Sequence, residues 1–362
     1  MKTKGAAYKT LEEAEKALPE FSKNGITEFV LHEAADNKNA LLKFLAAVQK
    51  YCPSLYLTIP ILIGTLDREV AGVCSDLFCS LDIPFTGTSK HTKDGDIYLF
   101  DKKKFAGKIA MLNDMGLVFG FDMDWAVLPG DSIKLFRERF EFALSLYPNH
   151  IEFAQLESAA QNQSADAALV KQNQTAVAQV NKNQPAAFTA PVAKPTATFS
   201  SQDIRQIRDL AFACKTFYSC GRAVPWFLSV LAPLKIQCHK FFSDFAEWQR
   251  CNNCSYSSGF SPDAVSHAEI EKMQLLFLAE KFEEKHKESL FTVVKDIVRL
   301  NGAFSRLAGE GEASELDLSY NPEDLFSPES CNIQSFADNV LLEPCRVKVF
   351  EGHDGPDFKI IG

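Results

Sequence analysis

Apolar positions in the first 155 residues alternate between a helical period and a strand period. Leu11, Ala14, Leu18 and Phe21 recur at helical spacing behind Thr10, which is placed to cap a helix opened by Glu12 and Glu13, and Asn24-Gly25 stops the run. Residues 26–32 then read as a strand and 39–51 as a second helix. Further strands are predicted at 55–63, 77–83, 117–123 and 151–153, with helices at 102–114 and 132–146 between them. Near-continuous apolar strands joined by helices are the pattern of a parallel sheet covered on its faces. A complete eight-unit barrel takes about 250 residues, so this length holds about five units. Five strands are legible. The segment therefore reads as part of a barrel that opens on a helix where such folds open on a strand.

Residues 157–200 break the pattern. Half of them are Ala, Gln or Asn, and only Phe188 and Phe199 are aromatic. Such a stretch buries too little apolar area to offset its ordering entropy, so it is predicted to be a flexible linker. From Ser201 onward the pattern is mainly helical. Leu290, Val293, Val294, Ile297, Leu300, Phe304 and Leu307 make one apolar stripe and Ile270, Met273 and Phe277 another. Short strands are expected at 346–350 and 358–361. The predicted organisation is α/β: an incomplete (β/α) barrel of the TIM type over 1–156, the linker over 157–200, and a mainly α-helical domain over 201–362.

Composition narrows the function classes. The chain has 362 residues, 46% apolar and 23% charged, with a formal net charge of −9, which argues against broad binding to nucleic acid or an anionic membrane. The start has no apolar core of a secretory signal, and the apolar runs near 55–64 and 223–236 are too short to span a bilayer, so a cytoplasmic protein is expected. Ten cysteines in that setting read as reduced thiols. G-x-G-x-x-G, P-loop, H-E-x-x-H and G-x-S-x-G patterns are all absent from the sequence, which leaves dehydrogenase, nucleotide-hydrolase and α/β-hydrolase readings without support.

The stretch 117–153 carries the most specific signal: a strand ending in Asp122 and Asp124, a Leu128-Pro129-Gly130-Asp131 turn, an amphipathic helix, and a Pro148 to Ile151 entry into another strand. This order resembles the late barrel of radical S-adenosylmethionine (radical SAM) proteins. Residues 8–33 resemble the helix and strand that follow the cluster loop of that family. Phe217-Tyr218-Ser219-Cys220-Gly221-Arg222 is similar to the C-terminal region of the subgroup carrying a cobalamin-binding domain. The resemblance spans 6–155 and, more loosely, 202–310. It implies S-adenosylmethionine, a [4Fe-4S] cluster and cobalamin as the family's cofactors.

The chain departs from the family at the cluster. The C-x3-C-x2-C triplet that would hold three irons is absent: Cys74 and Cys79 have the wrong spacing, and Cys251 and Cys254 lack a third partner. No cofactor is therefore expected on this chain alone, and no radical chemistry without a supplied cluster. The resemblance implies the C-terminal portion of a radical SAM enzyme whose first strand and cluster lie elsewhere. An N-terminal half or another chain would then cover an open sheet edge. The alternative is a non-catalytic barrel remnant that binds or scaffolds. The resemblance places acids near the S-adenosylmethionine amine or ribose at Glu33 and Asp36. Strand ends are where open α/β sheets hold ligands, which makes Asp82, Thr86 and Asp122 candidates as well. Asp122 and Asp124 are not read as an acid-base dyad. Cys251 and Cys254 are the weak metal candidates, two thiols where tetrahedral zinc needs four ligands.

Overall fold

A computed structural model describes residues 5–8, 10–126, 128–154, 195–353 and 355–361. The expected linker falls outside the described residues up to position 194. The chain divides into two compact units, one of residues 1–139 and 152–207, the other of residues 140–151 and 208–362.

The first unit is built on a six-stranded sheet of β1 (Gly5–Tyr8), β2 (Glu28–Leu31), β3 (Tyr56–Pro60), β4 (Cys79–Phe85), β7 (Val118–Asp124) and β8 (His150–Ala154), in that spatial order. β1 with β2, β2 with β3, β3 with β4 and β4 with β7 all pair in parallel. Strands laid down in chain order by right-handed crossovers put every connecting helix on the same face. Ring contacts agree. Phe21 of α1 (Leu11–Asn24) and Phe44 of α2 (Lys38–Tyr51) pack on Phe29 at 6.3 and 5.3 Å. After α3 (Arg68–Ser75), Phe105 of α4 (Lys102–Asp114) reaches Phe85 at 4.7 Å and Phe121 at 6.5 Å. α5 (Ile133–Leu144) follows β7. The face away from these helices is half-open, with Val30, Tyr56 and Val118 38–43% exposed. Each strand is thus apolar on one face and mixed on the other.

One expectation is corrected. The first unit does not open on a helix: β1 precedes α1 and pairs with β2 from Gly5 opposite Glu28 to Tyr8 opposite Leu31, so β1 and not β2 stands at the end of the strand order. Four residues, Gly-Ala-Ala-Tyr, are too short and too small to announce a strand by alternation, and packing decides. The stretch after β4, for which no strand is predicted, is a hairpin of β5 (Thr88–Thr92) and β6 (Gly95–Leu99). Gly95, at φ +121°, makes its turn.

The second unit is mainly helical. A π-turn at Lys215–Ser219 follows α6 (Ser201–Cys214), and α7 (Phe227–Leu231), α8 (Cys238–Asn252), α9 (His267–Glu284), α10 (Phe291–Glu310), α11 (Pro322–Phe326) and α12 (Ile333–Asn339) follow in turn. Phe217 centres its core, with ring centroids of Phe241 and Phe245 both at 5.0 Å. Three antiparallel strands, β9 (Ser314–Leu318), β10 (Cys345–Gly352) and β11 (Gly355–Ile360), lie against α10. Among the described residues no helix is long and apolar enough to cross a membrane.

Candidate functional site

A cleft of about 510 Å³ opens at the carboxyl ends of β2, β3 and β4. Asp36 and Lys38 come to it from the end of β2, Gly64, Thr65 and Asp67 from the loop after β3, Thr86 from the end of β4 and Lys104 from the first turn of α4. The sequence builds these ends locally. Asn37 caps α2 by accepting from the Ala40 amide, Asp67 caps α3 by accepting from Val70, and Asp101 caps α4 by accepting from Lys104. The Lys38 ammonium bridges Asp67 at 2.6 Å and Glu69 at 2.5 Å. Its hydrogen bond to Asp67 raises the Lys38 pKa and lowers that of Asp67. Gly64 brings bare backbone beside Lys104, whose Nζ would lie 3.9 Å from a side chain there. The lining thus offers carboxylates, ammonium groups and two hydroxyls.

Of the five residues picked from the sequence, Asp36 and Thr86 line this cleft. Asp82 and Asp122 are half-buried on the helix-free face of neighbouring strands, where the register sets Asp82 opposite Gly120 and Pro84 opposite Asp122. Glu33 is exposed beyond β2. Pro84, the register partner of Asp122, itself lines the cleft.

Sequence reasoning missed the buried polar cluster behind the cleft. Arg139 of α5, 2% exposed, donates through Nη1 to Asp124 Oδ1 at 2.7 Å and through Nη2 to Asp131 Oδ2 at 2.8 Å and the Asp124 carbonyl at 3.0 Å. Its guanidinium lies 4.5 Å over the Tyr98 ring, and Nη1 also donates to the Tyr98 hydroxyl. That hydroxyl accepts from the Gly87 amide at 2.7 Å, and Thr86 donates to Asp124 Oδ2 at 2.7 Å. The cluster therefore ties the hairpin to the end of β4, to β7 and to the turn before α5. Gly130, at φ +84°, fits this contact because a Cβ would stand 2.7 Å from the Asp96 carbonyl oxygen and the Tyr98 nitrogen. One signal was available: Arg139 sits within the apolar stripe of Phe136, Phe140 and Ala143, where an arginine is buried only if paired.

Two acids share one guanidinium here, and burial decides the outcome for one of them. Desolvation outweighs the attraction of Arg139 and pushes the Asp131 pKa up to about 6. Burial likewise pushes Tyr98 up to about 12. Folded Asp131 holds its proton at a pH where the unfolded chain has released it, so this group favours the fold most in acid and loses that contribution as pH rises from about 4 to about 6. The stability difference between wild type and Asp131→Asn should accordingly move by roughly 3 kcal/mol in favour of the variant across that window. Urea denaturation at pH 4 and pH 7 checks it, and a difference that stays constant would show that Asp131 titrates normally.

The thiols do not assemble a centre. Cys251 and Cys254 are exposed at and just beyond the end of α8, and Cys74 and Cys79 are buried. Among the described residues, no group of three His, Cys, Asp or Glu side chains could hold a metal ion. Among the described residues no three thiols come together as a [4Fe-4S] cluster requires. Compared with known proteins, the chain matches no family model and no curated protein.

Proposed function

We propose that the first unit is a non-catalytic barrel segment of the radical SAM type that binds a small zwitterionic ligand at the carboxyl ends of its strands. The cleft between β2, β3 and β4 carries this reading, because Asp36 and Thr86 converge there with Lys38, Thr65 and Lys104. Carboxylates suit an amine, ammonium groups suit a carboxylate, and the two threonine hydroxyls suit a diol, the polar groups of S-adenosylmethionine. The sequential strand order and the one-sided placement of the helices support the barrel, since both are what a (β/α) unit produces on repetition. The lack of three converging thiols among the described residues favours binding over radical catalysis, because the family's cluster needs them. Cobalamin enters only through the resemblance.

Calorimetric titration with S-adenosylmethionine tests the binding, with Asp36→Asn expected to weaken it about tenfold through loss of a charge-assisted hydrogen bond. Anaerobic iron–sulfur reconstitution tests the chemistry. The expected result is no cluster absorption and no 5′-deoxyadenosine, and either signal would restore the catalytic reading.

A further inference from the structure

The second unit holds a cavity of its own, about 420 Å³, walled by the segment after the π-turn, the start of α9 and the end of α10. Arg306 of α10 is 8% exposed and lines it. Both of its recorded partners use the same nitrogen: Nη1 donates to Glu271 Oε2 at 2.6 Å and to His267 Nδ1 at 3.1 Å. Among the described residues nothing accepts from Nε or Nη2, and the side chain lines the cavity. Those two nitrogens form the side-on edge of a guanidinium, two parallel N–H groups spaced for the two oxygens of a carboxylate.

The surroundings fix the charge such an edge can accept. His267 Nδ1 accepts from Arg306, so its hydrogen sits on Nε2, 3.3 Å from the Gly221 carbonyl, and the ring is neutral. Burial first, then Arg222, pushes its pKa down to about 4. Arg222, at φ +49°, is held across the cavity by Glu310 and by the Ser305 carbonyl at 2.8 Å, its guanidinium lying against Gly309. Asp263 is paired with Lys215 at 2.9 Å. Each base facing the space is thus matched by an acid, while Glu312 has no cation partner among the described residues. A dianion would meet that excess negative charge, whereas one negative charge can be held by the free arginine edge. The backbone N–H groups of His267 and Ala268, at the start of α9, have no acceptor among the described residues and add partial positive charge. Pro262, Val265 and Ile270 supply apolar wall.

We infer that this cavity binds a small monocarboxylate with an apolar body, gripped side-on by Arg306. The inference concerns the second unit alone and stands whether or not the first unit binds its ligand. Titrating the ¹⁵N-labelled full chain with benzoate should shift one arginine Nε–H signal. That signal should vanish in Arg306→Lys, which keeps a positive charge for Glu271 but loses the fork, and affinity should fall at least about tenfold. Glu312→Gln should tighten binding by a factor of about three. Val265→Trp, which fills the wall without touching the Arg306–Glu271 pair, should block binding and provides a second test if the lysine variant melts early. Inorganic phosphate at matched ionic strength should leave the signal in place. Benzoate that shifts no arginine signal, Arg306→Lys or Val265→Trp binding as wild type does, or phosphate competing as well as benzoate would each overturn the assignment.

Discussion

Arg139→Met is expected to destabilise the protein by about 3–5 kcal/mol at pH 7, the usual loss when one partner of a buried ion cluster is removed. The side chains of Asp124 and Asp131 are only 3% and 1% exposed, so neither carboxylate can reach water once the guanidinium is gone. Methionine fills similar volume, which keeps the cavity contribution small and isolates the electrostatic one. The loss should shrink towards pH 5, because wild-type Asp131, with its pKa pushed up to about 6, is then itself protonated and Arg139 has one charge fewer to hold. The triple variant Arg139→Met, Asp124→Asn, Asp131→Asn should recover much of the loss, since Arg139 Nε is itself buried without a partner and the cluster is less than fully satisfied. Urea denaturation of the two variants checks this. If the single variant is no less stable than the triple one, the cluster is not holding charge against burial. Hydrogen exchange adds a local readout. Tyr98 connects β6 to the Gly87 amide, so exchange in the hairpin should rise with Arg139→Met ahead of exchange in β4.

How far the fold could be read depended on whether a segment's own side chains decide its structure. The helix over 102–114 was legible to the residue, because Asp101 caps it and Phe105, Ile109 and Leu112 face the core. The strands at the centre of the sheet were legible within a few residues, since Leu57, Ile59, Leu81, Ile83, Phe119 and Phe121 are buried on its helix-covered face. β1 and the hairpin were not. β1 has almost no side chain to show, and Thr88–Thr92 is exposed almost throughout, so its strand character comes from pairing with β6 and not from alternation. The candidate site divides in the same way. Asp36 and Thr86 could be placed at strand ends from sequence position alone. Arg139, Tyr98 and Asp131 become a unit only when α5 and the hairpin meet over the end of β7, a contact between positions 41 residues apart.

Gly221→Ala is expected to cost about 2–6 kcal/mol, although it adds a single methyl group. That methyl would lie 2.1 Å from the Phe217 carbonyl oxygen and 2.2 Å from Gln274 Nε2, well inside contact distance. Neither neighbour can retreat. The Phe217 carbonyl belongs to the π-turn closed by the Cys220 amide on Lys215 at 2.8 Å, and its ring is wedged among Trp226, Phe227, Phe241, Phe245 and Phe277. Gln274 donates to the Phe217 carbonyl at 2.7 Å and to the Gly221 carbonyl at 2.9 Å, and its own Oε1 is buried without a partner, so turning the amide away would strand its donor as well. Overpacking accounts for about 1–3 kcal/mol and the broken buried hydrogen bonds for about 1–3 more. The glycine at 221 is therefore required where two polar groups meet the backbone. Gly107→Ala is the contrasting case. It lies inside α4 with nothing within 4 Å of an added methyl, so helix propensity should make that variant about 1 kcal/mol more stable. Thermal melts of the two variants beside wild type decide the matter: Gly221→Ala melting with wild type would mean that the Phe217 turn is looser than its contacts describe.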